Sequence, residues 1–340
     1  MAKSARGEQQ IGITAGTVAG LIWGLAFLLP DLLRGWSPVA VTAGRYLAYG
    51  AVSLVLFAFG GRVLGRLVRA HWRPALAFAL AGNVGYYLLL VLGIAWVGAP
   101  VTDIIIGCIP ITMALVGNML IATYRWRSLV LPVGMATVGL LIVNALELGG
   151  AAETGQSSMA AKVLGVLAAF GAVAVWTWYG LANARFLSRH PEVPGGGWST
   201  VVGLGTAAIT VVALPLALAT DQFQPPSEPG AAGVTAFILA SLVLGILVSW
   251  TATGLWNVAS ARLSATAAGM LINIETVAGF AYVYAARTQW PPWGQLAGFA
   301  LILIGVLLVV RLPTLTAAGV PASSTRTIGV ERDVGSARSE

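Results

Sequence analysis

The sequence predicts an all-α membrane protein with ten transmembrane helices, arranged as two inverted five-helix repeats with both termini cytoplasmic. Three observations support this fold class: an apolar composition, ten apolar runs of membrane-spanning length, and a strong bias in where arginine and lysine occur. Of the 340 residues, 58% are hydrophobic and only 9% are charged, whereas a soluble domain carries about 25% charged residues. The composition therefore indicates lipid as the main solvent of the chain.

The ten apolar runs define the predicted membrane segments. A helix needs about 20 mostly apolar residues to cross a hydrocarbon core of about 30 Å, because each residue advances the helix by about 1.5 Å. The first run is long enough to span the membrane and lacks a small-residue cleavage site, so it predicts a retained helix. The ten predicted segments are 11–29, 37–60, 75–96, 101–122, 129–147, 163–187, 198–219, 233–258, 264–286 and 293–311.

Positively charged residues predict the orientation of these segments, because arginine and lysine that flank a membrane helix are retained on the cytoplasmic side. With the N-terminus inside, the inner parts of the chain hold 15 of the 19 lysine and arginine residues. The outer loops hold Arg34, Lys162 and Arg287, and Arg45 lies within a segment. The formal charge of +7 is thus a topology signal. Its scattering between apolar runs excludes a basic face for nucleic acid.

The apolar runs divide the chain into five parts. Residues 1–10 are a predicted cytoplasmic tail, 11–147 the first five-helix repeat, 148–162 an external linker and 163–311 the second repeat. Residues 312–340 are rich in serine, threonine, alanine and charged residues without an apolar period. This composition predicts a disordered cytoplasmic tail.

Two stretches indicate the internal repeat. Residues 97–113, VGAPVTDIIIGCIPITM, align without gaps with residues 263–279, LSATAAGMLINIETVAG, at an offset of 166 residues. Each stretch starts with a short turn of small residues, continues into a long apolar run, and is the fourth segment of a set of five. Because five is odd, the second copy must enter the membrane from the opposite side. Inverted repeats of this kind usually place a substrate site near the bilayer midplane.

Four motifs follow one another along residues 11–311. They are IWGLAF at 22–27, AGRYLAYGAVSLVL at 43–56, LWNVASARLSATAAGMLINIE at 255–275 and GQLAGFALILIGVLLVV at 294–310. In this order, and with ten segments, they resemble the EamA-type members of the drug/metabolite transporter superfamily. The chain departs from that family's Gly-Glu at the end of the fourth segment of each half, where 122–124 and 285–287 stand. It also has Thr276 in place of the family's proline.

The resemblance implies a secondary transporter of the cytoplasmic (inner) membrane, an exporter of amino acids or related small metabolites that works by alternating access. The expected partners are a small-molecule substrate, the lipid bilayer and protons as a candidate coupling ion, in a monomer or homodimer, with no nucleic acid. No enzymatic activity, cofactor or metal is expected. The two histidines, His71 and His190, fall in separate predicted cytoplasmic loops without metal-ligand spacing.

Two functions of other classes stay open at this point. One is a membrane-embedded enzyme acting on lipid-linked substrates, which would need clustered carboxylates or histidines at one membrane face. The predicted loops do not supply such a cluster. The other is a non-transporting membrane receptor or assembly subunit, which a flux measurement would distinguish from a transporter.

Three ionisable residues within or at the edge of predicted spans are candidates for substrate binding or coupling. A charge at a helix centre costs about 2.5–3.5 kcal/mol, so each needs a partner, water or a neutral form. Glu275 suits proton coupling or a cationic group, with a protonated structural carboxyl as the alternative. Arg45 suits a carboxylate or phosphate, or a structural pair with Asp103. Asp103 follows Pro100 in a first helical turn, where the helix dipole favours a carboxylate without any transport role.

Polar and aromatic residues at helical spacing mark three further faces. Buried amides in hydrocarbon need partners, so these faces are predicted to turn towards the protein interior or a wet cavity. Whether they contact substrate or only one another stays open. The candidates are Asn83, Tyr86 and Tyr87 on segment 3, Trp176, Tyr179 and Asn183 on segment 6, and Trp256 and Asn257 on segment 8.

Segment 1 carries a glycine at every fourth position. Glycine has no side chain and lets a neighbouring helix approach closely, and such faces are the usual packing seam in lipid. The ladder therefore predicts tight helix packing, while a surface that slides during alternating access would use the same feature. Its members are Gly12, Gly16, Gly20 and Gly24.

Overall fold

The computed structural model of the protein describes residues 2–28, 33, 35–148, 158–228 and 230–315. In this part of the chain every regular element is helical. Within these residues, nine continuous helical stretches, several of them made of two or more consecutive helices, are long and apolar enough to cross a membrane. The predicted class of an all-helical membrane protein is confirmed for these residues.

The longest of the nine candidate spans, Pro38–Val97, contains two of the ten predicted segments. Its 60 residues would measure about 90 Å as one straight helix, three times the thickness of a bilayer core. The backbone leaves helical geometry at Gly61, with φ 54° and ψ −138°, and at His71, with φ −130° and ψ 21°. Both residues fall where the sequence predicts a loop, and glycine adopts the positive φ at position 61 without a steric penalty.

The described part of the first half contains six α-helices. A 3₁₀ turn, Gly24–Leu28, extends the first helix, and a π-helical turn, Leu80–Gly85, joins the second to the third. The six helices are α1 (Ala2–Trp23), α2 (Pro38–Ala79), α3 (Tyr86–Val97), α4 (Ala99–Ile106), α5 (Ile109–Ile121) and α6 (Trp126–Leu148).

The second half contains seven described α-helices. A second π-helical turn, Leu244–Thr251, joins the third of them to the fourth, and the single residue Ile272 separates the fifth from the sixth. The seven helices are α7 (Met159–Arg189), α8 (Gly195–Ala219), α9 (Gly230–Val243), α10 (Ala252–Arg262), α11 (Ala265–Leu271), α12 (Asn273–Ala286) and α13 (Trp293–Arg311).

The N-terminal part of the predicted tail 1–10 is helical, since α1 begins at Ala2. Most residues of this stretch, including alanine, lysine, arginine, glutamate and glutamine, have high helix propensity. Arg262 Nε donates to Glu8 Oε2 at 2.9 Å, which fixes the start of α1 against the end of α10. The tail is therefore a continuation of the first membrane helix.

The predicted linker 148–162 is shorter in the structure, because α7 already begins at Met159. The Ser158 hydroxyl caps this helix by accepting a hydrogen bond from the Ala161 backbone N–H at 3.2 Å. Residues 149–157 of the linker and residues 316–340 of the predicted tail lie outside the described part of the chain.

The most extensive helix contacts join the two halves of the chain. Helix α2 packs on α8, α3 on α7, α6 on α13, α1 on α10, and α5 on α11. Each of these pairs takes one helix from the first half and one from the second. The core therefore lies between the halves and not within either one.

The glycine ladder, on α1 and at the start of the 3₁₀ turn that follows it, faces α10–α12. A Cβ atom added at Gly24 would lie 2.8 Å from the backbone nitrogen of Gly279 and 2.9 Å from the Cβ of Ala278. Real Cβ atoms do not approach other atoms this closely, so a larger residue would push the helices apart. A Cβ at any member of the ladder would come within 2.7–2.9 Å of a neighbouring atom: Gly12, Gly16, Gly20 and Gly24.

Candidate functional site

A cavity of about 610 Å³ lies between the two halves of the chain. Pockets for small molecules commonly measure about 300–1,000 Å³ and combine apolar walls with a few polar groups. The walls here follow that composition, with rings of tryptophan, tyrosine and phenylalanine around one arginine and two carboxyl groups. The cavity is therefore the candidate substrate site.

Nine of the eleven predicted binding or coupling residues line this cavity. They come from α2, the first π-helical turn, α3, α4, α7, α10 and α12, so they are distant in the sequence and meet only in the fold. The nine are Arg45, Asn83, Tyr86, Tyr87, Asp103, Trp176, Tyr179, Trp256 and Glu275.

Two π-helical turns help to place polar side chains beside the cavity. Asn83 lies on the first turn, and its Nδ2 donates to Thr206 Oγ1 of α8 at 2.8 Å. Ser249 lies on the second turn and accepts a hydrogen bond from Arg45 Nε, also at 2.8 Å. A π-helical turn shifts the helical register, and such turns occur frequently at functional sites.

Arg45 does not form the predicted pair with Asp103. Within the described residues its guanidinium donates to Ser249 and has no carboxylate at ion-pair distance. The pair would need α2 and α4 to be close neighbours, but α4 packs on α3 and α7 instead. The two side chains face the same cavity from different walls.

Glu275 reaches the cavity from the first turn of α12, directly after the helix break at Ile272. Asn273, two residues earlier, is fully buried, and its Nδ2 donates to the Met270 carbonyl at 3.1 Å. Residues two apart on a helix point in nearly opposite directions. This geometry directs the carboxyl group, and not the amide, to the cavity.

Asn183 and Asn257 are the two predicted residues that do not line the cavity. Both are fully buried, and Asn183 Nδ2 donates to Asn257 Oδ1 at 2.9 Å. Trp198 Nε1 donates to Asn183 Oδ1 at 2.8 Å, and Asn257 Nδ2 donates to the Gly195 carbonyl at 3.2 Å. These amides connect α7, α8 and α10, because buried polar groups must be satisfied within the protein.

Several cavity residues are absent from the sequence-based prediction. Trp23 donates from Nε1 to the Val248 carbonyl at 3.0 Å and presents its ring to the cavity. Its position within the motif IWGLAF was the available signal. Tyr46 neighbours Arg45 on α2 and has its ring 5.6 Å from the arginine Cζ. Arg45 was selected as an ionisable residue, and no polar face at helical spacing was predicted on segment 2, so Tyr46 was missed. Further examples are Phe27, Asn144 and Phe280.

Comparison with known proteins identifies the family of the chain. The model of the EamA-like transporter family matches residues 10–145 and again residues 163–311. The chain belongs to the EamA-like transporter family. The inner membrane protein YtfF of Escherichia coli (strain K12) is 33% identical over 306 residues, which cover 88% of this chain and 95% of that protein. The resemblance predicted from the motif order is thereby confirmed.

One solved crystal structure shares the fold of this EamA-family protein. It superposes with a TM-score of 0.69 at 21% identity and covers 90% of this chain and 97% of that chain. Together with the inner-membrane relative and the apolar helices, family membership makes the chain a multi-pass membrane transporter of the cytoplasmic membrane. A small-molecule substrate and the bilayer are its implied partners.

Proposed function

We propose that this EamA-family protein is a secondary transporter that exports amino acids or related small metabolites by alternating access between its two halves. The observation that carries the proposal is the charge pattern of the cavity. Arg45 faces the same space as Asp103 and Glu275. A zwitterionic amino acid carries the complementary charges, an ammonium group and a carboxylate group, on the same carbon atom.

The cavity charges are available to a substrate. Among the described residues, Arg45 uses one N–H on Ser249, and neither Asp103 nor Glu275 has a hydrogen-bond or ion-pair partner for its side chain. Arginine binds carboxylates with a fork of parallel N–H groups, and carboxylates bind ammonium groups. Aromatic rings such as those of Tyr86 and Trp176 add cation–π attraction for an ammonium group.

The helix pairing supports two repeats related by a pseudo-two-fold axis. Five segments apart, α1 corresponds to α7 and α3 corresponds to α10. If each helix is exchanged for its counterpart, the contact of α1 with α10 becomes the contact of α7 with α3. The contacts of α2 with α8, α5 with α11 and α6 with α13 map onto themselves. An inverted repeat around a central site produces this pattern.

Helix distortions recur in both halves at the 166-residue offset. The π-helical turns Leu80–Gly85 and Leu244–Thr251 overlap at this offset. The break after α4 at Gly107 and the break at Ile272 fall within one residue of the same aligned position. Hinges lie at a few element-terminal residues that absorb backbone rotation. Matched breaks beside the cavity support a symmetric rocking of the two halves, and the exporting direction rests on the family resemblance.

Flux measurements in proteoliposomes test the proposal. A panel of amino acids is compared with the matching amines and carboxylic acids, each with and without a pH gradient. We expect the zwitterions to be carried and to compete with one another, and each singly charged analogue to compete less well. If amines or acids compete as well as the zwitterions, the two-charge recognition is wrong. If no member of the panel moves, the amino-acid substrate class is wrong.

A further inference from the structure

The two histidines of the 340-residue chain meet in the fold. His71 lies at the break in α2, and His190 follows the last residue of α7. Their ring centroids are 4.8 Å apart. Glu192 completes a group that we call the histidine cluster, in which one possible ligand atom from each of the three residues lies within 4.8 Å of the others.

A tight turn supplies two members of the histidine cluster. The Val193 N–H donates to the His190 carbonyl at 3.0 Å, so the chain reverses directly after α7. This reversal brings Glu192 back, and its Oε1 lies 3.2 Å from His190 Nδ1. Two ligands of a tetrahedral ion with bonds of about 2.0 Å are about 3.3 Å apart. The spacing of these two atoms already suits a shared ion.

The third member comes from a separate element that leaves helical geometry at this residue. His71 has φ −130° and ψ 21° within α2. Its ring packs edge-on against Phe186, at 5.1 Å between centroids, and Phe186 in turn stacks on Trp198 at 4.3 Å. The rings of Phe186 and Trp198 limit the movement of the His71 imidazole, which stays beside His190. Ligands that are held in place in this way lose little freedom when they bind an ion.

The cluster remains open to solvent. The side chains of His190 and Glu192 are 36% and 65% exposed. An ion could therefore enter from water and keep a water molecule in its fourth position, as in zinc sites with three protein ligands. Imidazole nitrogens favour zinc, copper, iron and nickel over magnesium and calcium.

We propose that His71, His190 and Glu192 form a binding site for a divalent transition-metal ion such as Zn²⁺. The cluster is separate from the transport cavity, since none of its members lines that cavity. Sequence spacing gave no sign of it, because two ligands follow α7 in the second half and the third lies in the first half. The expectation that the loops supply no cluster of histidines or carboxylates is wrong, and the expectation of no metal site is replaced by this proposal.

An ion in this site would bridge the two halves of the protein. His71 belongs to the first match to the family model and the other two ligands to the second. This consequence rests on the proposed function: if transport requires the halves to move against each other, a bound ion would resist separation on this face. Binding of the ion itself does not depend on transport.

Titration of the purified full-length protein with Zn²⁺ tests the site. The protein is kept in detergent and its affinity tag is removed, since tag histidines would bind the ion. We expect one Zn²⁺ per chain, and His71→Gln and His190→Gln should each weaken binding at least 10-fold, because even outer partners of metal ligands account for about 10–100-fold. Co²⁺ should show the visible absorption of tetrahedral coordination, and Mg²⁺ in excess should not displace Zn²⁺.

Glu192→Gln is compared with Glu228→Gln, a matched change at another exposed glutamate. We expect weaker Zn²⁺ binding for the first variant and wild-type binding for the second. Size-exclusion profiles and circular dichroism establish that each variant is folded. Wild-type Zn²⁺ affinity in His71→Gln, or no Zn²⁺ binding by the wild type, would overturn the site. Zn²⁺ binding without any slowing of exchange in proteoliposomes would retain the site and overturn only its bridging role.

Discussion

Glu275 lies in the first turn of α12 and lines the cavity, and we propose it as the carboxyl group that exchanges protons. We predict that Glu275→Gln abolishes movement driven by a pH gradient and leaves counterflow exchange partly intact. The amide keeps the size of the side chain but cannot titrate. Gradient-driven flux and counterflow are measured on the same vesicles.

Glu228→Gln serves as the control for this change, since Glu228 is exposed in a loop outside the cavity. It should retain wild-type flux under both conditions. If Glu275→Gln also keeps gradient-driven flux, the carboxyl group has a packing role and protons are coupled elsewhere or not at all.

Arg45 is the second residue whose role a mutation series can decide. Since it hydrogen-bonds to Ser249 and pairs with no carboxylate among the described residues, its charge is available to a substrate carboxylate. We predict that Arg45→Ala loses transport at normal protein yield. The double variant Arg45→Ala, Asp103→Ala should be equally inactive, because Arg45 makes no pair with Asp103 whose loss the second change could relieve.

Two other outcomes would contradict this role of Arg45. If Arg45→Ala lowers the yield and the double variant restores it, a single unpaired carboxylate was the cause, and the two residues interact in the membrane. If Arg45→Ala and Arg45→Lys both transport at the wild-type rate, the guanidinium reaches towards the headgroups and does not serve the substrate.

At the scale of the helix, the glycine ladder of α1 predicts a sharp asymmetry between two alanine substitutions. Gly24→Ala should destabilise the protein by about 1–3 kcal/mol, because the new methyl group meets the backbone of α12, which cannot rotate away. Gly134→Ala, within α6, should leave stability unchanged or raised, since nothing lies within 4 Å of its Cβ position.

Thermal unfolding midpoints in detergent measure both variants. The two changes add the same methyl group to a helical glycine, but Gly24 is buried against α12 and Gly134 is exposed. Equal midpoints for Gly24→Ala and Gly134→Ala would show that α1 does not need close contact with α12.

The sequence predicted helices and their apolar faces well, but it could not resolve distortions within them. Asn83 and Tyr86 were placed on one face by the ordinary helical period and do meet at the cavity. The same period selected Asn183 beside Tyr179, yet Asn183 is buried between helices. A regular period reports which side of a helix is polar. Whether that side meets a cavity or a neighbouring amide depends on tertiary packing.

Contacts between residues that are distant in the sequence were the second feature that the sequence could not predict. The two histidines are distant in the sequence, and their approach depends on the break in α2 and the turn after α7. Likewise, the absence of a pair between Arg45 and Asp103 follows from which helices are neighbours. Periodicity and composition contain no information on either point, whereas the ladder of small residues did indicate where two helices come close.

For the whole molecule, a few side-chain contacts determine which loops share a membrane face. Glu8 binds Arg262, so the start of α1 and the end of α10 lie together. The hydroxyls of Tyr124 and Ser264 are 3.0 Å apart, so the loop between α5 and α6 lies on the same face.

A contact on the other face involves the start of α2. Ser37 Oγ donates to the Gln222 carbonyl at 2.8 Å, which joins the start of α2 to the loop after α8. Helices α2 and α8 each run from one face to the other. The contacts at the two faces therefore define which loops lie together on each face.

The remaining question is which face is cytoplasmic, and we predict that the face bearing His190 and Arg127 is. The short stretch Arg62–Arg73 contains four arginines, and positive residues near membrane helices are retained inside. Reporter fusions at Arg69, Arg127 and His190 should therefore read cytoplasmic, and a fusion at Ser227 external. Fusions at Ala318 and Gly155, outside the described residues, should read cytoplasmic and external, respectively.

Since the helix contacts link the loops, an external reading at Arg69 should appear together with external readings at Arg127 and His190. That set of readings would reverse the orientation. An external reading at Arg69 alone would instead contradict the break in α2.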